Sequence, residues 1–212
     1  MLIAVDGPAA AGKGTLCGRL ADMHQLAYLD TGLLYRAVGM NLLRRGVSLD
    51  GDITDAAVSV VEALTLADMQ QNDLRSLEAG SAASKVSAIP AVREGLLKFQ
   101  RDFATHWPNG KQGAILDGRD IGTVILPDAP IKLYLTASAE VRAHRRFMEL
   151  DSTTVTYETV LAEVVERDNR DAQRSVAPMK PADDALVLDT SELSAAEVLE
   201  RVTAFIASKS SD

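Results

Sequence analysis

Short apolar runs alternate with longer amphipathic stretches along the whole chain. LIAV (2–5), LAYL (26–29), GAILD (113–117), IKLYL (131–135) and ALVLD (185–189) are each brief and almost wholly apolar. Runs of that kind fit strands of a parallel sheet, which is covered on both faces. Between them the period becomes helical. Leu16, Leu20 and Met23 share one side of a helix after the first run, and Leu34, Val38 and Leu42 align in LLYRAVGMNLLRRG, with Gly46 as its C-terminal stop. DAAVSVVEAL is a further helix, and Pro90 takes the first-turn position that suits proline ahead of AVREGLLKFQRDF. AEVRAHRRFMEL and YETVLAEVVERDNRDAQR follow, the second turning Val160, Leu161, Val164 and Val165 inward. Ser194 and Glu197 form a capping box before AAEVLERVTAFI. Residues 67–88 carry no clear period and stay unassigned, and the tail SKSSD is expected to fray. Strands alternating with helices predict an α/β fold, a mostly parallel sheet layered by helices.

Composition narrows the possible partners. The 212 residues are 47% hydrophobic and 25% charged, which is ordinary for a globular chain long enough for one α/β domain with appendages. Net charge is −8, with a pI near 4.9, so neither non-specific nucleic-acid binding nor membrane-surface binding is expected. Any anionic ligand must be met by a local basic cluster. No charged, apolar leader opens the chain and no apolar run approaches the roughly 20 residues that span a bilayer. The single cysteine, Cys17, excludes an intrachain disulfide, suits a reducing cytoplasmic setting, and reads as small core filler. His24, His106 and His144 have no metal-ligand spacing, so no metal held by dedicated protein ligands is expected.

One stretch after the first strand carries chemistry. GPAAAGKGT places Gly7, Pro8, Ala9, Ala10, Ala11, Gly12, Lys13, Gly14 and Thr15 between a strand and a helix. A glycine-rich turn there points backbone N–H groups at a phosphate, the helix N-terminus adds its positive dipole end, and Lys13 reaches the β- and γ-phosphates of a nucleotide. The generic motif has Ser or Thr directly after the lysine; here Gly14 fills that slot and Thr15 follows. That shift is similar to small-molecule kinases of the P-loop class, above all nucleoside monophosphate kinases. Either the Thr15 hydroxyl or Asp117 acting through water then helps place Mg²⁺. Asp6 reads equally as a structural acceptor for loop amides. Alanine at positions 9 and 10 requires a backbone there with negative φ.

A second stretch, ERDNRDAQR (166–174), is odd in an acidic chain. Arg167, Arg170 and Arg174, with Asp171, fall at spacings that share one helix face, where like charges repel mildly. Glu163 and Glu166 stand four residues before Arg167 and Arg170, the favourable orientation for ion pairs. The segment is therefore either a solvated, salt-bridged helix or a basic face for an anion. Arg142 and Arg146 on the preceding helix extend the second reading, while Arg145 has Glu149 four residues on and reads as ion-paired.

Further residues gather after strand ends, where parallel sheets bind ligands. LDTGLLYR carries Thr31 and Arg36, DGRDIGTV carries Arg119 and Asp120, and SAASKVSAIPAVR carries Ser84 and Arg93. Together, GPAAAGKGT, LDTGLLYR, ASKVSAIPAVR, DGRDIGTVILPDA, AHRR and ERDNRDAQRSVAP resemble the bacterial cytidylate kinases, in order along nearly the whole chain. The resemblance implies a P-loop kinase fold with a five-stranded parallel sheet. It also implies a core of residues 1–30, 113–142 and 175–212, an acceptor-binding region of 31–112 and a lid of 143–174.

The activity implied is ATP-dependent phosphorylation of CMP and dCMP with Mg²⁺. Small nucleotides would be the partners, and a monomer is the default. By the same resemblance Ser84, Arg93 and Asp120 read the cytosine, Arg36, Arg119 and Arg174 hold the acceptor phosphate, and Arg167 and Asp171 reach the sugar. Asp120 accepts from the amino group that uracil lacks, a pairing that rejects the wrong base by up to ~10⁴–10⁵-fold. Arg119, Arg170 and Arg174 join Lys13 in stabilising charge on the transferred phosphoryl group. Two departures stand out. TLADMQQNDLRSLEAGS is shorter than the insert many members carry, and Ala9 and Ala10 stand where Ser and Gly are frequent. Two other readings are another nucleoside monophosphate or small-metabolite kinase, and an ATP-binding regulatory module without turnover; the acceptor arginines weigh against the latter.

Overall fold

The computed structural model describes residues 1–107, 110–150 and 155–209. Five strands, β1 (Leu2–Asp6), β2 (Ala27–Asp30), β3 (Ala114–Gly118), β4 (Ile131–Thr136) and β5 (Leu186–Asp189), form one parallel sheet in the order β2-β3-β1-β4-β5. Each strand coincides with one of the apolar runs; β1 and β3 are buried on both faces, whereas the edge strand β5 leaves Val187 exposed.

Helices α1 (Lys13–His24) and α8 (Ala195–Lys209) cover one face. Leu16, Cys17 and Leu20 of α1 and Val198, Val202 and Ile206 of α8 pack on Ile3, Val5, Ile115 and Leu133. Burying each such aliphatic side chain contributes about 1.5–3 kcal/mol. Cys17 is core filler, as expected, and burial pushes its thiol well above the usual range. The Ser194–Glu197 box caps α8 as read from the chain. Ser208 and Lys209 complete that helix rather than fray, and residues 210–212 lie outside the described residues.

On the other face, α5 (Pro90–Thr105) and a π-helical turn (Ile121–Ile125) pack on Ala4, Leu29 and Leu116. Helices α2 (Thr31–Arg44), α3 (Thr54–Glu62) and α4 (Leu77–Val86) build a second core with α5, from Leu34, Val38 and Leu42 against Ala57, Val60, Ala83 and Leu96. The left-handed Gly46, φ 73°, follows α2 as its stop. Helices α6 (Ala139–Glu149) and α7 (Tyr157–Gln173) join through Ala143, Val160 and Val164. Among the described residues, no helix is long and apolar enough to cross a membrane.

Three local readings need correction. Residues 67–88 are ordered: two 3₁₀ turns, Leu66–Gln70 and Asn72–Arg75, lead to α4, whose N-cap Ser76 accepts from the Ala79 amide at 3.0 Å. Its buried face is Ala79, Gly80, Ala82, Ala83, Ser84 and Val86, of which only Val86 is large enough to mark a hydrophobic period. Met23 is 51% exposed because the buried stripe of α1 runs through Leu16, Cys17, Leu20 and Ala21, leaving Met23 about a quarter turn off its centre. Val165 is exposed too, since the stripe of α7 narrows to Val160, Val164 and Asp171.

Two backbone details set the carboxyl end of the sheet. Asp6 accepts from the Ile121 and Gly122 amides at 2.7 Å each, so the loop amides it serves belong to the segment after β3 rather than to the glycine-rich loop. Burial outweighs those two bonds and pushes its carboxyl up to about 7 from the ordinary 3.8. Ala10, against the expectation of negative φ, sits at φ +58°. The loop geometry imposes the left-handed conformation there, which costs a non-glycine residue about 1–2 kcal/mol.

Both details are testable. The folded protein keeps an Asp6 proton that the unfolded chain has released between pH 3.8 and about 7. This contribution to stability is therefore present at low pH and lost as pH rises through that window. Urea unfolding at pH 5 and pH 7 should show a smaller loss between the two for Asp6→Asn than for wild type. Ala10→Gly should raise stability by about 0.5–1 kcal/mol in the same measurement, the relieved strain exceeding the added unfolded-state entropy.

Candidate active site

The loop between β1 and α1 folds as a cradle. Gly7 has φ 138°, and a Cβ on it would lie 1.9 Å from the Leu135 carbonyl oxygen, so only glycine can run this close to β4. Gly12, at φ 91°, is the N-cap of α1 and leaves its first amides without a capping side chain, the arrangement in which a helix N-terminus binds an anion. Lys13 is buried; its Nζ donates to the Pro8 carbonyl at 2.9 Å and lies 3.7 Å from Asp117 Oδ1. Burial, with the neighbouring Arg119 guanidinium, pushes the Lys13 ammonium down to about 8. Asp117 is pushed up by burial in spite of Lys13.

This cradle forms one wall of a cavity of about 1060 Å³. Residues 9–15 line it together with Arg36, Asp117, Arg119, Arg167 and Arg170, so the phosphate loop and most of the arginines singled out in the sequence face one space. Arg36 is oriented by the Leu74 carbonyl, which accepts from Nη1 at 2.6 Å, so the short 3₁₀ segment helps place a cavity-lining arginine. Burial pushes Arg167 down to about 9, and Arg119, Arg36 and Arg146 add to that shift.

The remaining predicted residues adjoin the cavity without lining it. Thr31 is buried and donates to the backbone oxygen of Asp117 at 2.8 Å, and Gly7 and Pro8 form the base of the loop. Ser84, Arg93, Asp120, Asp171 and Arg174 close on one another. Arg93 and Asp120 are a buried ion pair. Ser84 Oγ donates to Asp171 Oδ1 at 3.1 Å while Arg119 Nε donates to Oδ2 at 3.2 Å. Arg174 donates to Ser87 Oγ at 3.2 Å, and Arg93 to the Ser87 carbonyl at 3.4 Å. Arg119 belongs to both sets. Burial alone would raise the Asp171 carboxyl, but Arg119, Arg167 and Arg174 together hold it below the ordinary range.

Helix α7 resolves its two readings into a division of labour. Arg167 and Asp171 lie in its inward stripe, 3.7 Å apart, whereas Arg170 sits on the flank and pairs with Glu166. The expected Glu163–Arg167 pair gives way to Arg167–Asp171, and Glu163 faces the cavity. Arg174 does not share the face: the helix ends at Gln173, and Arg174 is extended. On α6, Arg146 rather than Arg145 pairs with Glu149, at 3.1 Å, while Arg145 donates to Thr190 Oγ1 at 3.0 Å. Arg142 is buried and holds the Ala9 carbonyl, the Ala137 carbonyl and Asp168, so it ties the phosphate loop to α7 instead of facing a ligand.

Sequence reasoning missed Tyr28, Met69, Leu77 and Gly80, all on the cavity wall. Tyr28 hid inside an apolar strand run, and the other three lie in the segment that lacked a period. At Gly80 a Cβ would come within 3.3 Å of Arg167 Nη1, so a larger residue there would press on that guanidinium.

Comparison with known proteins agrees with this geometry. A family model described as cytidylate kinase matches residues 3–208. The cytidylate kinase of Rhodospirillum rubrum is 53% identical over 212 residues, 99% of each chain, and that of Paramagnetospirillum magneticum is 54% identical over 212 residues, 98% of each. Among solved structures, shikimate kinase from Bacteroides thetaiotaomicron has a TM-score of 0.51 at 11% identity, covering 97% of this chain and 96% of that one. A sugar kinase from Janibacter sp. HTCC2649 has a TM-score of 0.51 at 15% identity, covering 97% and 94%. These structural likenesses concern the fold, which is that of P-loop kinases. With the family match running unbroken from β1 to α8, through the cradle, the Arg119 loop and the arginines of α7, this chain belongs to the cytidylate kinase family.

Proposed function

We infer that the protein transfers the γ-phosphoryl group of ATP to CMP or dCMP, giving CDP or dCDP and ADP. The observation that carries this reading is the single cavity in which the phosphate loop with Lys13 faces Arg36, Arg119, Arg167 and Arg170. Two phosphate-bearing molecules supply the negative charge that a buried lysine and four half-buried arginines call for.

The transfer is an in-line displacement. An oxygen of the acceptor's phosphate attacks the γ-phosphorus, and the bond from that phosphorus to the bridging oxygen of ADP breaks. The nucleophile is already ionised near neutral pH, its second pKa being about 6, so no side chain has to remove a proton. Catalysis then lies in positioning and charge stabilisation. Lys13 and the amides of residues 9–15 hold the donor. Arg36 and Arg119 hold the acceptor phosphate, with Arg174 joining them from the end of α7. Arg170 stabilises charge on the group in flight.

Residues 31–112 act as the acceptor-binding region and 143–174 as a lid whose closure excludes water. Bidentate guanidinium forks suit this work better than lysine. Mg²⁺ fits as a companion of the nucleotide. Thr15 and Asp117 both line the cavity, and among the described residues no cluster of three or more acidic, His or Cys groups forms a metal cage. That sparse oxygen set matches a metal held mainly by phosphates and water. Its chemistry would be to neutralise charge on the β- and γ-phosphates.

Base recognition rests on Ser84, Arg93 and Asp120. Asp120 and Arg93 present a carboxylate acceptor and guanidinium donors side by side, complementary to the amino group and ring acceptors of cytosine. The sugar is met by Arg167 and Asp171.

ADP release measured with CMP, dCMP, UMP, AMP and no acceptor should show turnover with the first two; activity with AMP and none with CMP would refute the assignment. Asp120→Asn keeps the shape but can present an amide donor to the O4 of uracil. Its preference for CMP over UMP in kcat/KM should fall by about 10²-fold or more. Asp120→Ala is the less informative variant, because stranding buried Arg93 should cost about 3–5 kcal/mol of stability.

A further inference from the structure

Gly14 is where the phosphate loop departs from the generic motif, and the structure shows what borders that position. A Cβ built on Gly14 would lie 3.6 Å from the Tyr28 hydroxyl and 3.9 Å from Asp117 Oδ2, both ordinary contact distances. The space into which a side chain after Lys13 would project therefore points at a phenol and a carboxylate. Those two groups are bonded to each other: Tyr28 donates to Asp117 Oδ2 at 3.2 Å, across the β2–β3 pairing in which Asp30 stands opposite Asp117. The other oxygen, Oδ1, is the one 3.7 Å from Lys13 Nζ. Tyr28 thus takes one oxygen of a buried carboxylate and leaves its twin to the lysine. The Asp117 main chain is independently held, since Thr31 donates to its carbonyl. What Tyr28 adds is control of the carboxylate's rotation, which would otherwise be soft, a terminal sp³–sp² torsion having broad minima.

We propose that Tyr28 is a positioning residue for phosphoryl transfer, its hydroxyl standing beside the place left open by Gly14 and orienting Asp117 toward Lys13. The tyrosine supplies from the neighbouring strand a hydroxyl that the generic loop carries directly after its lysine. The phenol stays a donor across the working pH range, because burial and the adjacent Asp117 raise its pKa. No other described role accounts for the hydroxyl, whose ring already packs against the α1–α8 core.

This inference rests on the kinase reading above, and the test separates the two. Wild type, Tyr28→Phe, Gly14→Ser and the double variant are assayed with saturating ATP and Mg²⁺ and varied CMP. CMP affinity and thermal stability are measured in parallel by calorimetry. Tyr28→Phe keeps the ring and should fold. Its kcat should fall about 10- to 100-fold, the scale of a modest misplacement of a reacting group. KM and the calorimetric Kd for CMP should stay within about two-fold of wild type, because Asp117 sits with Lys13 on the donor side. Gly14→Ser alone should also lose turnover, the new hydroxyl competing with Tyr28 for Asp117 Oδ2. The two changes together should recover at least part of the loss, a non-additive result.

A Tyr28→Phe variant with wild-type kcat would overturn the positioning role. Strictly additive losses in the double variant would overturn the claim that the two hydroxyls serve the same place. Absence of CMP turnover in wild type would instead count against the kinase reading and leave the Tyr28–Asp117 bond unexplained by it.

Discussion

Around the cavity, positive charge is gathered faster than the protein neutralises it. Burial lowers the proton affinity of Arg36 and Arg167, and the nearby Arg119 and Arg146 guanidinium groups lower both further. Against them stand Asp171, which Arg119 and Arg167 share, Glu149 paired with Arg146, and Asp30 beside Arg36. Buried charges in such a ratio are tolerated only where the surrounding elements are fixed by other forces. Here three apolar cores do the fixing: the α1–α8 face of the sheet, the α2–α5 cluster and the α6–α7 pair. The surplus is then available to an anionic ligand, in a space shielded enough for electrostatic attraction to exceed its value in water.

Topology decides which charges meet. With β1 central, the loops after β1 and β3 leave the sheet side by side, and Asp6 ties them together through the Ile121 and Gly122 amides. That tie fixes the segment carrying Arg119 and Asp120 relative to the phosphate cradle. Asp30 and Asp117 stand opposite each other on β2 and β3, which brings Tyr28 to Asp117. Arg142 links the Ala9 carbonyl in the phosphate loop to Asp168 on α7, so the cradle and the helix bearing Arg167 and Arg170 share a physical connection.

The fold was largely legible along the chain because its signals are local. All five strands lie in short, mostly apolar runs, and α2, α5 and α8 begin or end at Thr31, Pro90, Gly46 and the Ser194–Glu197 box, residues whose preferences depend on the backbone next to them. Helix α4 was not legible. Apart from Val86 its buried face is alanine, glycine and serine, because α2 lies so close that a Cβ on Gly39 would come within 2.7 Å of the Ala82 Cβ, and small residues carry no hydrophobic period. The glycine-rich loop announced its phosphate chemistry, but not that Ala10 would be held left-handed.

For the site, the chain by itself determined which groups are present and the element each rides on: a cradle before α1, arginines on α2, after β3 and on α7. Their partners were decided only in three dimensions. Arg146, which also lines the cavity, takes the Glu149 partner that helical spacing assigned to Arg145, while Arg145 turns to Thr190; Arg167 prefers Asp171 to Glu163, and Arg93 closes on Asp120 from a different element. Spacing rules describe an isolated helix in water, where i and i+4 neighbours are the nearest choice. Once a helix face is buried, desolvation makes the best-matched carboxylate or carbonyl decisive wherever in the sequence it comes from.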